Sequence, residues 1–177
     1  MAYTPPLKDM HFALTHAGMI EEVAALPLYA ERGAGEMVDA VLDEAAKLAA
    51  NVWAPTNKIG DRTPPVLKDG AVVTPNGFKD AYQQFAQGGR NSLSFNPDHG
   101  GQGLPWVLGM AVNEMWQGAN LALSLCPLLT QAAIEAVEQY GTPEQKKLYL
   151  EKMISGEWTG TMHLTEPQAG TDLAAIR

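Results

Sequence analysis

The sequence predicts an all-α helical bundle over residues 1–156, followed over residues 157–177 by the beginning of a β-domain. Three observations lead there. Apolar residues recur at three- and four-residue spacing from Glu36 to Val52, and a nearly unbroken apolar stretch runs from Pro105 to Leu125. At Trp158–Leu164 the pattern then turns alternating and β-prone, Trp-Thr-Gly-Thr-Met-His-Leu.

Taken in order, Asp9 is a candidate N-cap for a short helix to His16, and Glu21–Ala30 reads as a second one interrupted by Pro27. Gly33 and Gly35 mark a loop. Met37, Val38, Val41, Leu42, Ala45, Leu48, Ala49 and Val52 then define one helical face, with Asp39, Asp43, Glu44 and Lys47 opposite; this helix is expected to end before Pro55. Residues 56–76 carry Gly60, Pro64, Pro65, Gly70, Pro75 and Asn76-Gly77 and read as a long excursion or a small hairpin, with Val66-Leu67 and Ala71–Val73 flanking Asp69-Gly70. Helical spacing resumes over Phe78–Gln87 until Gly88-Gly89.

A glycine-rich loop, Asn96–Gly103, precedes the apolar stretch 105–125, which as a helix apolar on nearly all sides belongs at the centre of a bundle. Pro127 is expected to restart the chain in the first turn of a helix reaching Tyr140, with Gly141 as its stop. Thr142, Pro143 and Gln145 form a capping box for a helix ending near Ser155-Gly156. A strand beginning at Trp158 has no partner for its backbone groups, so the chain reads as cut within a fold, and Arg177 is a position a trypsin-like protease leaves behind. A naturally short gene product is the competing account.

Composition narrows the function classes. Twelve Lys and Arg against twenty Asp and Glu give a net charge of −8, which argues against a nucleic-acid binder or a polybasic membrane-surface protein. With 46% hydrophobic and 18% charged residues the chain can bury a core. A single cysteine, Cys126, rules out an internal disulfide, and with no basic neighbour in sequence it reads as an inert buried thiol. No apolar run is expected to approach the roughly 18 residues of a membrane span, and Met1–Asp9 lacks the pattern of a signal peptide. The expected compartment is therefore cytoplasmic.

Among candidate sites, His99-Gly-Gly-Gln-Gly103 lacks the Lys-Ser/Thr ending of a phosphate loop and reads as a tight turn presenting the next helix. His11, His16, His99 and His163 lack metal-ligand spacing, and no G-x-S-x-G elbow occurs. The segment Met162–Asp172 stands apart: small residues Ala169 and Gly170 permit close backbone approach, and hydroxyl and carboxylate side chains flank them. It suits a planar polar ligand with a phosphate near the Gly-Thr turn, and an ordinary strand-to-turn corner explains it equally well.

Leu164-Thr-Glu-Pro-Gln-Ala-Gly-Thr-Asp172 resembles the L-T-E-P-x-A-G-[ST]-D motif of the acyl-CoA dehydrogenases. Ahead of it, in the family's order, Pro97–Gly103 is similar to the glycine-rich loop before the central helix, Gly141–Leu150 to the G-[ST]-x-x-Q-K-x-x-[YW]-L helix start, and Gly156-Glu-Trp158 to the approach to the first β-domain strand. Pro5–Phe12 looks like the opening of the longer bacterial members, including those acting on 3-methylmercaptopropionyl-CoA. His163 departs from the small residue or cysteine usual at that position.

The resemblance implies α,β-dehydrogenation of an acyl-CoA thioester: a carboxylate removes the α-proton while the β-hydrogen leaves as hydride to FAD N5, and electrons pass to an electron-transfer flavoprotein or similar acceptor. It implies FAD contacts at Met162, Leu164, Thr165, Gly170 and Thr171, with backbone at Leu164 and the Thr165 hydroxyl on the pyrimidine edge. Thr171 and Gly170 would lie near the pyrophosphate, and Thr171 also on the substrate's CoA portion; Glu166 and Asp172 would hold the turn, and the 105–125 helix would wall the acyl chain. The base is expected in a domain beyond Arg177, so the chain alone is expected to be inactive and not to retain FAD, which belongs to the complete protein. Fatty acid metabolism and a homo-oligomer are the implied setting. An acyl-CoA oxidase is the alternative within the fold. A helical interaction module or a subunit needing a partner chain is the alternative outside it.

Overall fold

The structure, a computed structural model, describes residues 3–177; Met1 and Ala2, part of the opening read as lacking a signal peptide, lie outside the described residues. Helix α1 (Leu7–His16) begins one turn earlier than Asp9 suggests, because the Pro6 carbonyl takes the first helical bond from Met10 and Asp9 sits in the first turn. The Glu21–Ala30 pattern splits at Pro27 into α2 (Ile20–Ala24) and α3 (Pro27–Ala30), with the proline at the start of α3 where its missing N–H costs nothing.

The periodic stretch forms α4 (Ala34–Leu48), and here the expected stop at Pro55 is corrected. The helix widens into a π-helical turn, Ala49–Trp53, and continues as α5 (Ala54–Arg62). The wide turn resets the hydrogen-bond register, so Pro55 falls in the first turn of α5 instead of interrupting an α-helical ladder. Beyond it, β1 (Val66–Lys68) and β2 (Ala71–Val73) pair antiparallel as Val66↔Val73, Leu67↔Val72 and Lys68↔Ala71. Asp69 (φ 51°) and Gly70 (φ 78°) make the turn, both in the left-handed region that a two-residue hairpin loop requires. All six strand residues are exposed.

Helix α6 (Phe78–Gln87) matches its expected bounds, and two 3₁₀ turns, Arg90–Ser92 and Pro97–His99, lead through the glycine-rich loop to α7 (Trp106–Ala119). The apolar run does not continue to Leu125. It breaks at Asn120, whose side-chain oxygen accepts the Leu123 N–H at 3.0 Å and caps α8 (Leu121–Tyr140). Pro127, expected to restart the chain, is buried inside α8. With the two halves joined, α8 is a 20-residue helix long and apolar enough by length and composition to cross a membrane, at a mean hydropathy of 1.3. Core helices of helical bundles share that length and composition, and polar residues from Ser124 to Gln139 interrupt the apolar run. In the bundle α8 packs against α5, α7 and α9 (Pro143–Ile154). The capping box that opens α9 is complete: the Thr142 hydroxyl accepts the Gln145 N–H, and the Gln145 side chain accepts the Thr142 N–H.

Two apolar clusters result. The larger joins α1, α2, α4, the π turn, α6 and α7 around Trp53, Phe85 and Trp116, whose ring centroids lie 5.3–5.7 Å apart. The smaller gathers Phe95, Ile134, Leu150, Met153 and Ile154 between α8, α9 and the loop, with Trp158 against it. A buried polar node links the larger one to the break at Asn120: the Asn120 amide donates to the Thr56 hydroxyl at 2.8 Å, and that hydroxyl donates to the Trp53 carbonyl at 2.7 Å. We expect Asn120→Ala, which removes both a cap and a buried hydrogen bond, to cost about 2 kcal/mol in urea unfolding.

Residues 159–165 form neither helix nor strand. The alternation of Trp158–Leu164 needs a ladder partner to become a strand, and none is present among the described residues. An isolated bridge, Glu166 to Ala169, is the ladder element that does form there.

Candidate functional site

The glycine-rich loop is closed on itself. Every backbone N–H from Asp98 to Leu104 donates within it or to the turn before it: to Asn96 Oδ1, to the carbonyls of Asn96 (twice) and Pro97, then to those of Ser92, Phe95 and Leu93. No N–H is left to cradle a phosphate, so the loop serves as the tight turn that its sequence suggests. Arg32 Nη1 clamps it from α3's side, donating to the Gly103 carbonyl at 3.0 Å.

The carboxy-terminal segment is anchored where it leaves α9, at Trp158 and Gly160. The Gly160 N–H donates to Thr130 Oγ1 at 3.1 Å, while that hydroxyl donates to the Cys126 carbonyl at 2.8 Å. Gly160 lies so close to α8 that an added Cβ would sit 2.6 Å from Ala133 Cβ. Trp158 anchors the same stretch: its N–H donates to the Lys152 carbonyl, and Lys152 Nζ lies 4.4 Å from its ring centroid. We expect Gly160→Val to detach this segment and lower stability by about 2 kcal/mol, measured by denaturant unfolding.

Past Gly160, Met162, Leu164, Thr165, Gly170 and Thr171 are all exposed. The structure places them along one stretch of chain and does not gather them into an enclosed cavity. Glu166 and Asp172 are occupied locally. Glu166 and Ala169 exchange backbone bonds of 3.0 Å, the Glu166 carboxylate accepts the Gln168 amide and the Arg177 N–H, and Asp172 Oδ1 accepts the Ala174 N–H at 3.1 Å. Ala169 is fully buried, whereas an added Cβ at Gly170 would meet no atom within 4 Å. The turn is thus held from inside, with its outer face open.

A feature the sequence reading missed lies between the hairpin base, α6 and α8. Pro65, Thr74, Pro75, Phe78, Lys79, Tyr82, Ala122, Leu123 and Cys126 line a largely apolar groove of about 480 Å³. Its walls come from residues more than forty positions apart, so no local motif announces it. Leu123 and Ala122 fall within the 105–125 stretch expected to wall an acyl chain, but at the start of α8 rather than on α7. Burial raises the Cys126 thiol pKa, in keeping with an inert cysteine.

Tyr82 stands at the groove's edge, and its hydroxyl donates to the Gly156 carbonyl at 3.0 Å, tying α6 to the end of α9. Burial first, then Cys126, pushes its pKa up to about 12 from 10.0. The folded state therefore favours the neutral phenol. Its contribution is fully present below the unfolded value and is lost as pH rises through about 12. We expect Tyr82→Phe to lose about 1 kcal/mol at neutral pH and to flatten the stability profile in that alkaline window.

Comparison with known proteins agrees with this architecture. A sequence profile of the acyl-CoA dehydrogenase N-terminal domain matches residues 36–157, and the chain belongs to the acyl-CoA dehydrogenase family. It is 44% identical to the 3-methylmercaptopropionyl-CoA dehydrogenase of Ruegeria pomeroyi, over all of this chain and 30% of that protein. A butyryl-CoA dehydrogenase of Syntrophomonas wolfei is 32% identical over 98% of this chain and 29% of its own length. The butyryl-CoA dehydrogenase structure from Megasphaera elsdenii shares the fold, with a TM-score of 0.66 over 80% of this chain and 35% of its own, at 21% identity. The chain spans about 30% of the length of the curated relatives it matches.

Proposed function

We propose that this chain supplies the N-terminal helical domain and the first flavin contacts of a cytoplasmic acyl-CoA dehydrogenase, with residues 157–177 opening the β-domain. The carrying observation is the free outer face of the Leu164–Asp172 turn: its acidic residues are spent on internal bonds, while Thr165, Gly170 and Thr171 stay open to a ligand.

The residues present fit FAD. No hydrogen bond occupies the backbone of residues 161–165 within the described chain, and two exposed hydroxyls and a glycine without neighbours follow. Leu164 backbone and the Thr165 hydroxyl would hold the ring's polar edge, with Met162 beside it, and Gly170 and Thr171 would approach the pyrophosphate. When bound, FAD would supply a hydride acceptor for the substrate's β-hydrogen. Thr171 would also touch the CoA portion of an acyl-CoA, and the groove formed by Phe78, Tyr82 and Leu123 offers apolar wall for an acyl chain. Reducing equivalents would pass to an electron-transfer flavoprotein or similar acceptor, from a homo-oligomer.

The test is made on the full gene product. Purified, it should carry FAD, and an acyl-CoA should bleach the flavin absorbance anaerobically. Absence of both flavin and acyl-CoA binding would overturn the reading. Gly170→Ala separates site from scaffold: stability should change by no more than about 0.5 kcal/mol, because nothing surrounds the new methyl, while FAD affinity should fall measurably.

A further inference from the structure

We propose that the interior between the Arg90–Ser92 turn, α7 and α8 holds a binding site for one structural water, coordinated by Arg90 Nε, Asn91 Oδ1 and Ser94 Oγ. These three atoms are buried without a hydrogen-bond partner in the protein, and their residues line one cavity together with Gly109, Asn113 and Gln131. Orphaned polar atoms cost free energy when buried, so three of them on residues lining one cavity call for a shared partner.

Size and chemistry select that partner. The cavity measures about 10 Å³, room for a single water and nothing larger. Asn91 is 2% exposed and its orientation is set: Nδ2 donates to the Met153 and Ile154 carbonyls at 2.8 and 3.3 Å, closing the end of α9. A flipped amide would turn its oxygen onto those two carbonyls, so Oδ1 is left as a buried acceptor that needs a donor. Arg90 Nε–H is a donor that needs an acceptor. A cation would meet the guanidinium's charge, and an anion would meet the Asn91 lone pairs. Water satisfies both, accepting from Arg90 and donating to Asn91, with the Ser94 hydroxyl as its third partner. Asn113 and Gln131 do not compete for it, because the Asn113 amide donates to Gln131 Oε1 at 3.1 Å. Gly109 supplies the space: a Cβ there would come within 2.5 Å of Ser94 Oγ. The water thereby ties Arg90 and Ser94 to Asn91, the side chain that closes the end of α9.

A high-resolution crystal structure of the full protein tests this. The expected result is one fully occupied water peak within hydrogen-bond distance of all three atoms, with slow exchange seen as a water cross-relaxation signal at Arg90 Nε–H in solution. An empty cavity overturns the proposal. So does a metal or halide peak, or a rotated Ser94 pairing directly with Arg90 or Asn91. Ser94→Ala should lower the folding equilibrium constant about fivefold and weaken the peak; an unchanged peak and constant would remove Ser94 from the site.

Discussion

Alanine at position 101 is expected to destabilise the protein by about 3 kcal/mol or more, the largest single-methyl effect in the chain. A Cβ built on Gly101 would lie 2.0 Å from the Phe95 carbonyl oxygen and 2.2 Å from its carbon, and both are backbone atoms that cannot swing aside. Relief requires parting the loop from residues 92–96. That sacrifices the bonds from Gly101 to Asn96, Gly103 to Phe95 and Leu104 to Leu93, each 2.8–3.0 Å, at roughly 1 kcal/mol apiece. It also loosens Phe95, which the smaller apolar cluster buries and which meets Trp106 edge-on at 5.5 Å. Thermal unfolding should show a melting temperature lower by about 6–12 °C. A shift within one or two degrees would mean that the loop yields without losing its bonds. Gly170→Ala is the control within the same molecule, since the same methyl there meets nothing.

That contrast bears on what the sequence could reveal. Signals confined to a few neighbouring residues were legible: the Thr142 capping box, the Asp69-Gly70 hairpin, and the Phe78–Gln87 helix with its glycine stop all formed within a residue of expectation. Proline misled twice, at Pro55 and Pro127, because its effect depends on where the hydrogen-bond register places it. A π turn made Pro55 harmless, and α8 runs through the buried Pro127 without ending there. The true helix boundary had its own signal in Asn120, a favoured cap residue, hidden inside an apolar run that reads as continuous. For the site, periodicity and spacing alone leave Leu164–Asp172 ambiguous between a ligand edge and a plain corner; the resemblance favours the first, and the structure adds that the Glu166 and Asp172 carboxylates accept bonds from within the same segment. The groove at Tyr82 and Cys126 was not legible, since it arises from the packing of α6 against α8 and from no pattern within either.

Truncating Trp53 should have an effect of comparable size by a different route. Trp53 closes the π turn, is fully buried, and touches both Phe85 and Trp116 at centroid distances of 5.3 and 5.4 Å. Trp53→Ala removes the centre of this triad and leaves a cavity that the surrounding rings and α4 cannot collapse into, a loss of about 3–5 kcal/mol. Against a typical total of about 5–15 kcal/mol, that is a large share of the stability of a domain this size. Trp53→Phe should cost much less than alanine. The indole Nε1–H has no hydrogen-bond partner, so removing it relieves a buried donor and offsets part of the lost volume. Urea unfolding of both variants decides between packing and polarity: if phenylalanine is as damaging as alanine, the indole N–H is engaged and the triad is not held by ring packing alone. Near-ultraviolet circular dichroism gives a second reading, because the coupled Trp53–Trp116 signal should vanish in both variants while the far-ultraviolet helical signal persists in the phenylalanine form.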